Sequence, residues 1–115
     1  MSKNIVLEKS FEFSLIIIQL YKKMIEQNEY VLSKQLLRSG TSIGANIEEA
    51  TAGISKKDFI AKMSISSKEA REARYWLRLI EKSDLVKIDV KKELEQVEDL
   101  INILTSIVKT SQKNI

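Results

Sequence analysis

Apolar residues recur along most of this chain at intervals of three and four, the period of α-helices. The first periodic run covers about residues 4–27. Leu7, Phe11, Ser14, Ile18, Tyr21 and Ile25 mark one helix face, and Phe13, Ile17, Leu20 and Met24 form a second apolar row beside it. Gln27-Asn28-Glu29 reads as a turn. The second run covers about residues 30–52, with Leu32, Leu36, Ser39, Ile43 and Ala50 on one face and either Asn46 or Ile47 between the last two. Gly53 is the expected stop, because glycine tolerates the left-handed conformation at a helix end. Ser55 then opens a third run, about 56–82, and Asp58 three residues on makes a capping box with a shorter acid. Its seam is Phe59, Met63, Ser66, Ala70, Ala73, Leu77 and Ile80. Ser83-Asp84 breaks it, and Leu85-Val86 are expected to fold back on the core. The fourth run covers about 89–111, with Asp89 as N-cap and Leu94, Val97, Ile101, Leu104 and Val108 as seam, widened by Leu100, Ile103 and Ile107.

Short connections between long helices favour antiparallel neighbours. The expected fold is all-α, an antiparallel up-down-up-down four-helix bundle, as a single domain over residues 1–115. The absence of proline and the presence of only three glycines agree with helices and leave no regular turn signals for strands.

One segment needs separate treatment. "RSGTSIGANIEEA", Arg38 to Ala50, has the glycines and small polar residues of a phosphate-cradling loop. Such a loop follows a strand and ends in Gly-Lys-Ser/Thr; here no lysine follows, and both flanks keep the helical period. A continuous helix with a small-residue row built on Gly40 and Gly44 is the better reading. Each glycine costs about 1 kcal/mol relative to alanine inside a helix, and close approach of another helix offsets that.

The chain has no cysteine and no histidine. Disulfides, Cys/His zinc sites and His-based acid–base or triad chemistry are thereby excluded, and a carboxylate di-iron site lacks its histidines. The expectation is a non-enzyme with no cofactor, no metal and no small-molecule substrate. "FSLIIIQL" is too short to span a membrane, and no signal peptide is evident, so the expected location is the cytoplasm and no membrane partner is expected.

The formal net charge is +3, which permits nucleic-acid contact without requiring it. Between Ile54 and Lys92, eleven cations face six anions. Arg71, Arg74, Arg78 and Lys82 step along the third helix as one stripe, with Lys56 and Lys57 at its start. These six are the candidate nucleic-acid-binding residues, with Tyr75 and Trp76 placed to stack on a base. The competing reading is a solvated face of Glu–Lys and Glu–Arg neighbours such as Lys68–Glu72 and Arg78–Glu81. Arg38, Ser42, Asn46 and Glu49 share a face of the second helix, and Glu69 and Glu72 are placed to meet Arg38. This set reads either as a structural polar network that fixes helix register or as a ligand-binding cluster. The first helix, apolar over more than one face through Leu15, Ile16, Ile17 and Ile18, points to self-assembly.

"QLLRSGTSIGANIEEA" (Gln35 to Ala50) followed by "SKKDFIAKMSISSKEAREARYWLRLI" (Ser55 to Ile80) resembles the bacterial four-helix bundle proteins, also called the 23S rRNA intervening-sequence protein family. The shared elements are Gln35-Leu36-x-Arg38-Ser39, Ser42-Ile43-x-x-Asn46-Ile47-x-Glu49, Asp58-Phe59, Lys68-Glu69-x-x-Glu72 and Tyr75-Trp76-Leu77. Ala50 and the pair Ser66-Ser67 depart from the usual pattern. The resemblance implies a bundle assembled into a ring, commonly a pentamer, and a relative, the accessory variability determinant of diversity-generating retroelements, binds a reverse transcriptase and nucleic acid. The expected function is a homo-oligomeric scaffold contacting rRNA-like structured RNA or a nucleoprotein. The alternative is a protein-only adaptor, for example of a reverse transcriptase.

Overall fold

A computed structural model describes residues 2–114, with side chains from Ile5 to Asn114. Met1 and Ile115, the ends of the expected domain, lie outside the described residues. The described residues form four α-helices and no strand: α1 Ser2–Glu26, α2 Leu32–Thr51, α3 Lys56–Ser83 and α4 Lys91–Lys113. None is long and apolar enough to cross a membrane. α1 packs on α2, α2 on α3, α3 on α4 and α4 on α1, while α1 and α3, like α2 and α4, are diagonal across the core, with no Cα atoms within 8 Å of each other among the described residues. The result is an elongated body of 47 × 21 × 20 Å.

Each helix buries the row that its period allows. The α3 seam is buried from Met63 through Ser66, Ala70, Ala73 and Leu77 to Ile80, with Phe59 half-buried at its start. On α2, Ile47 takes the core position and Asn46 lies at its edge. α1 distinguishes between its two rows. Val6, Phe13, Ile17, Leu20 and Met24 are buried, whereas Phe11 and Ile18 of the other row are exposed. Phe13 sits about 160° round the helix from Phe11. A helix with only two neighbours buries one stripe, so one row had to stay outside.

The choice of row follows from α2. A Cβ built on Gly40 would stand 3.0 Å from both Cγ atoms of Ile17, and one on Gly44 would stand 3.4 Å from the Ser10 carbonyl oxygen and hydroxyl. The two glycines therefore lie where α1 rests, and at Gly40 the approach leaves no room for a side chain. The hydroxyls beside them make no demand on it, because Ser39 and Thr41 donate to the carbonyls of Gln35 and Leu37 at 3.0 and 2.7 Å. The buried Ser66 hydroxyl crosses between helices and donates to the Ile43 carbonyl at 2.8 Å.

The connections follow local rules, with two corrections. Asn28 and Asp84 hold the left-handed conformations (φ 64° and 56°) that turn the chain after α1 and α3. Ser55 accepts from the Asp58 N–H at 3.1 Å and caps α3. Val86 folds onto the core, but Leu85 stays exposed. Gly53 is not left-handed. A Cβ there would meet Asp58 Oδ2 at 2.8 Å and the Ala50 oxygen at 3.0 Å, so the glycine answers crowding rather than backbone sign. Asp89 precedes the cap position, which Val90 occupies, and accepts instead from the Lys91 N–H at 3.0 Å.

Sequence reading missed the strongest cap. Glu29 is buried in the turn before α2. Its carboxylate accepts from the N–H groups of Val31 (3.0 Å), Leu32 (2.9 Å) and Ser33 (2.7 Å), and the Ser33 hydroxyl returns a bond to the Glu29 carbonyl at 2.8 Å. Burial pushes the carboxyl up, but the three backbone donors outweigh it and hold it below its ordinary value.

Two predictions follow from this packing. Gly44→Ala meets only ordinary contact and gains helix propensity of up to about 1 kcal/mol, so it raises the melting temperature. Gly40→Ala presses on the fully buried Ile17 and loses about 1–3 kcal/mol to overpacking, so it lowers it. For the cap, Glu29→Gln lowers stability at neutral pH by about 1–2 kcal/mol. A carboxyl depressed in the fold stabilises above its unfolded value and loses that effect as pH falls through its folded value. Thermal melts of Glu29→Gln and the parent therefore converge in acid.

Candidate nucleic-acid interface

α3 carries different chemistry on its two sides, because each side faces a different helix. On the α4 side, Arg71 donates to the Thr105 hydroxyl at 3.0 Å. One turn on, Arg74 donates from Nη1 to both carboxylate oxygens of Glu98, at 3.0 and 3.2 Å. Arg78 is exposed and makes no ion pair among the described residues. Lys82 is exposed and lies 3.9 Å from Glu81. Lys56 and Lys57 are exposed in the first turn of α3, about 20 Å or more from Arg71 at 1.5 Å per residue, so they stand apart from the stripe. Lys56 also borders a half-open groove of about 1030 Å³ floored by Phe59, Ile103 and Ile107.

The charge state of the stripe is therefore uneven. Arg74 is neutralised by Glu98, and its side chain is one-third exposed. Arg71 is held by a neutral hydroxyl, which fixes the guanidinium without cancelling its charge. Among the described residues Lys68 and Glu72 do not pair, because Glu72 turns toward α2, and Glu81 lies by Lys82 rather than Arg78.

On the α2 side, Arg38 reaches across to α3. It donates to Glu69 at 2.9 Å and to Glu72 through its other terminal nitrogen. Trp76, one turn beyond Glu72, donates its indole N–H to the same carboxylate at 3.0 Å. The hydrogen bond from Trp76 and that from Arg38 outweigh burial and hold the Glu72 carboxyl below its ordinary value. In turn, the bonds to Glu72 and Glu69 raise the Arg38 guanidinium. The arrangement joins Arg38, Glu69 and Glu72 but not the rest of the proposed network. Glu49 pairs with Lys62 at 2.7 Å, which raises the Lys62 ammonium. Ser42 and Asn46 bond to carbonyls of their own helix, at 2.6 and 2.8 Å.

Trp76 also changes role. It packs against the core with its N–H committed to Glu72, on the side away from Arg71 and Arg78. Tyr75 is the exposed aromatic, set edge-on to Trp76 at 5.3 Å between ring centroids. Trp76 stands four residues after Glu72, the spacing of helix-face neighbours, so this bond had a signal in the sequence. Glu98 and Thr105 had none that singled them out as partners for Arg74 and Arg71.

These features define a small all-α protein of four helices whose charged groups lie on helix surfaces. The family model of the 23S rRNA-intervening sequence protein matches residues 2–108, and the chain belongs to that family. It is similar to a crystal structure from Bacteroides thetaiotaomicron VPI-5482, described as a protein with unknown function from the S23 ribosomal protein family. The two are 44% identical with a TM-score of 0.90, over 95% of this chain and 99% of that one. No curated protein matches the chain.

Because Trp76 is the one tryptophan, its fluorescence reports on this cluster. Arg38→Ala shifts the emission and costs about 0.5–1 kcal/mol, the modest value expected for a half-exposed pair. The Glu72 contribution is present above the unfolded carboxyl value and is lost as pH falls through the lower folded value. An acid titration of the emission in the parent, flattened in Glu72→Gln, checks the assignment.

Proposed function

We propose that this chain is a non-enzymatic cytoplasmic scaffold: an antiparallel up-down-up-down bundle that assembles into a ring, a pentamer by its family resemblance, and binds structured RNA of the ribosomal type or a nucleoprotein carrying it. The observation that carries the nucleic-acid part is the pair Arg71 and Arg78. They lie two turns apart on one side of α3, exposed, and neither is neutralised by a carboxylate. Phosphate recognition needs cations of this kind, and a ring repeats them around its circumference. The family's name, with its reference to sequences intervening in 23S rRNA, points the same way.

The antiparallel reading draws on the order of cross-helix pairs. Arg38 meets Glu69 while Glu49 meets Lys62; Arg71 meets Thr105 while Arg74 meets Glu98; Ile17 lies at Gly40 while Ser10 lies at Gly44. In each case one number rises as the other falls. Self-assembly draws on the apolar row that α1 leaves outside. A protein-only adaptor is the second reading, favoured by the neutralisation of Arg74 and by the exposed apolar surface.

The test is binding of nuclease-treated protein to a structured rRNA fragment across a salt series, with the mass of the complex read by light scattering. The expected result is a steep fall in affinity with salt at a multimeric mass. Arg71→Ala with Arg78→Ala lowers the slope of log affinity against log salt by about 2 per bound subunit, with helicity and mass unchanged. No binding at low salt overturns the RNA reading in favour of the adaptor.

A further inference from the structure

The two halves of α4 differ in charge. Residues 91–99 hold four acids, Glu93, Glu95, Glu98 and Asp99. Residues 100–113 hold none; their only charges are Lys109 and Lys113, and their other polar side chains are hydroxyls and amides. The first half cancels cations of other helices, since Glu98 pairs with Arg74 of α3 and Asp99 with Lys9 of α1. The second half has no carboxylate to offer, so Arg71 ends on the Thr105 hydroxyl and keeps its charge uncancelled.

The cations continue past that point. Arg74 meets Glu98 and Arg71 meets Thr105, so the rest of α4 runs on from Arg71 on the side away from Arg78. Thr105, Lys109 and Lys113 follow one another at intervals of four, about 6 Å per step, on one helix face. Both lysines are exposed and neither has an ion pair among the described residues. With Thr105 and with Asn102, Ser106 and Thr110 they line a shallow depression of about 380 Å³, which no acid and no aromatic ring enters.

Ammonium, hydroxyl and amide donors match phosphate oxygens and sugar hydroxyls, the contacts that position a nucleic acid without reading its bases. A protein partner would instead need an apolar centre to bury, and this lining is polar. We infer that the nucleic-acid surface crosses from α3 to α4 and continues along Lys109 and Lys113 as a phosphate track, with Thr105 the positioning residue that holds Arg71 at the crossing. The inference rests on the RNA reading above and adds a second helix to it. With no ring to stack on a base, the track grips sequence-independently.

The test is a titration of the full chain with a fluorescent structured rRNA fragment across a salt series. Lys109→Ala with Lys113→Ala is expected to lower the slope of log affinity against log salt by about 2 per bound subunit, additively with Arg71→Ala and Arg78→Ala, with circular dichroism unchanged. Lys22→Ala with Lys23→Ala, exposed lysines of α1, leaves the slope unchanged. Thr105→Val removes a hydroxyl and no charge, so it weakens binding about 2- to 10-fold at an unchanged slope. A fragment with the same pairing but exchanged base pairs binds equally. An equal loss of slope in the Lys22 and Lys23 variant means that net charge alone acts, and overturns the track. A full slope without Lys109 and Lys113, while loss of Arg71 and Arg78 lowers it, confines RNA to α3, leaves the strip to an acidic protein partner and overturns the inference alone. Unchanged affinity in Thr105→Val overturns the positioning role. No RNA binding by the parent at low salt overturns both readings.

Discussion

The seat of α1 on Gly40 and Gly44 is the constraint on which the other arrangements depend. It brings the backbone of α2 against Ile17 and Ser10, and so decides which of two apolar rows on α1 enters the core. The cost is two glycines inside a helix, about 1 kcal/mol each in propensity. Burial of Phe13, Ile17, Leu20 and Met24 offsets it, at roughly 1.5–3 kcal/mol for each large side chain taken from water. Leaving Phe11, Leu15 and Ile18 outside follows from the same choice.

The second organising feature is the division of α3. Its α2 side is closed by Arg38, Glu69, Glu72 and Trp76, a set in which charge and N–H donor are matched. Its α4 side is open, with one arginine neutralised, one tethered to a hydroxyl and one without an ion pair among the described residues. The first side therefore ties α2 to α3, and the second leaves charge exposed at the surface. The positions of Lys56 and Lys57 at the far end give the chain a separate basic patch rather than a longer stripe.

Most of the fold was legible because it rests on period. The four spans lie within about two residues of the observed helices, and the α3 seam appears in the core almost unchanged. The family was legible from the spacing of Arg38, Ser42, Asn46 and Glu49 with the α3 motif. What period does not carry is the choice between equivalent rows, which is made by a neighbour; both α1 rows stood open in the sequence, and α2 selects the one with Phe13 and Ile17. It also does not carry pairing across helices. Arg74 looks like a free cation until Glu98 is beside it, and Glu49 looks like a member of the polar set around Arg38 until Lys62 takes it. Glu29 was passed over because a carboxylate reaching forward to three backbone N–H groups has no period at all.

The hydroxyls of Ser39 and Thr41 are both occupied by carbonyls of their own helix. The surface on which α1 rests thus has small residues but no outstanding polar valence. What that surface discriminates is therefore volume more than polarity: a hydroxyl that bonds back to its own helix is accommodated there, whereas a methyl group added at Gly40 meets Ile17.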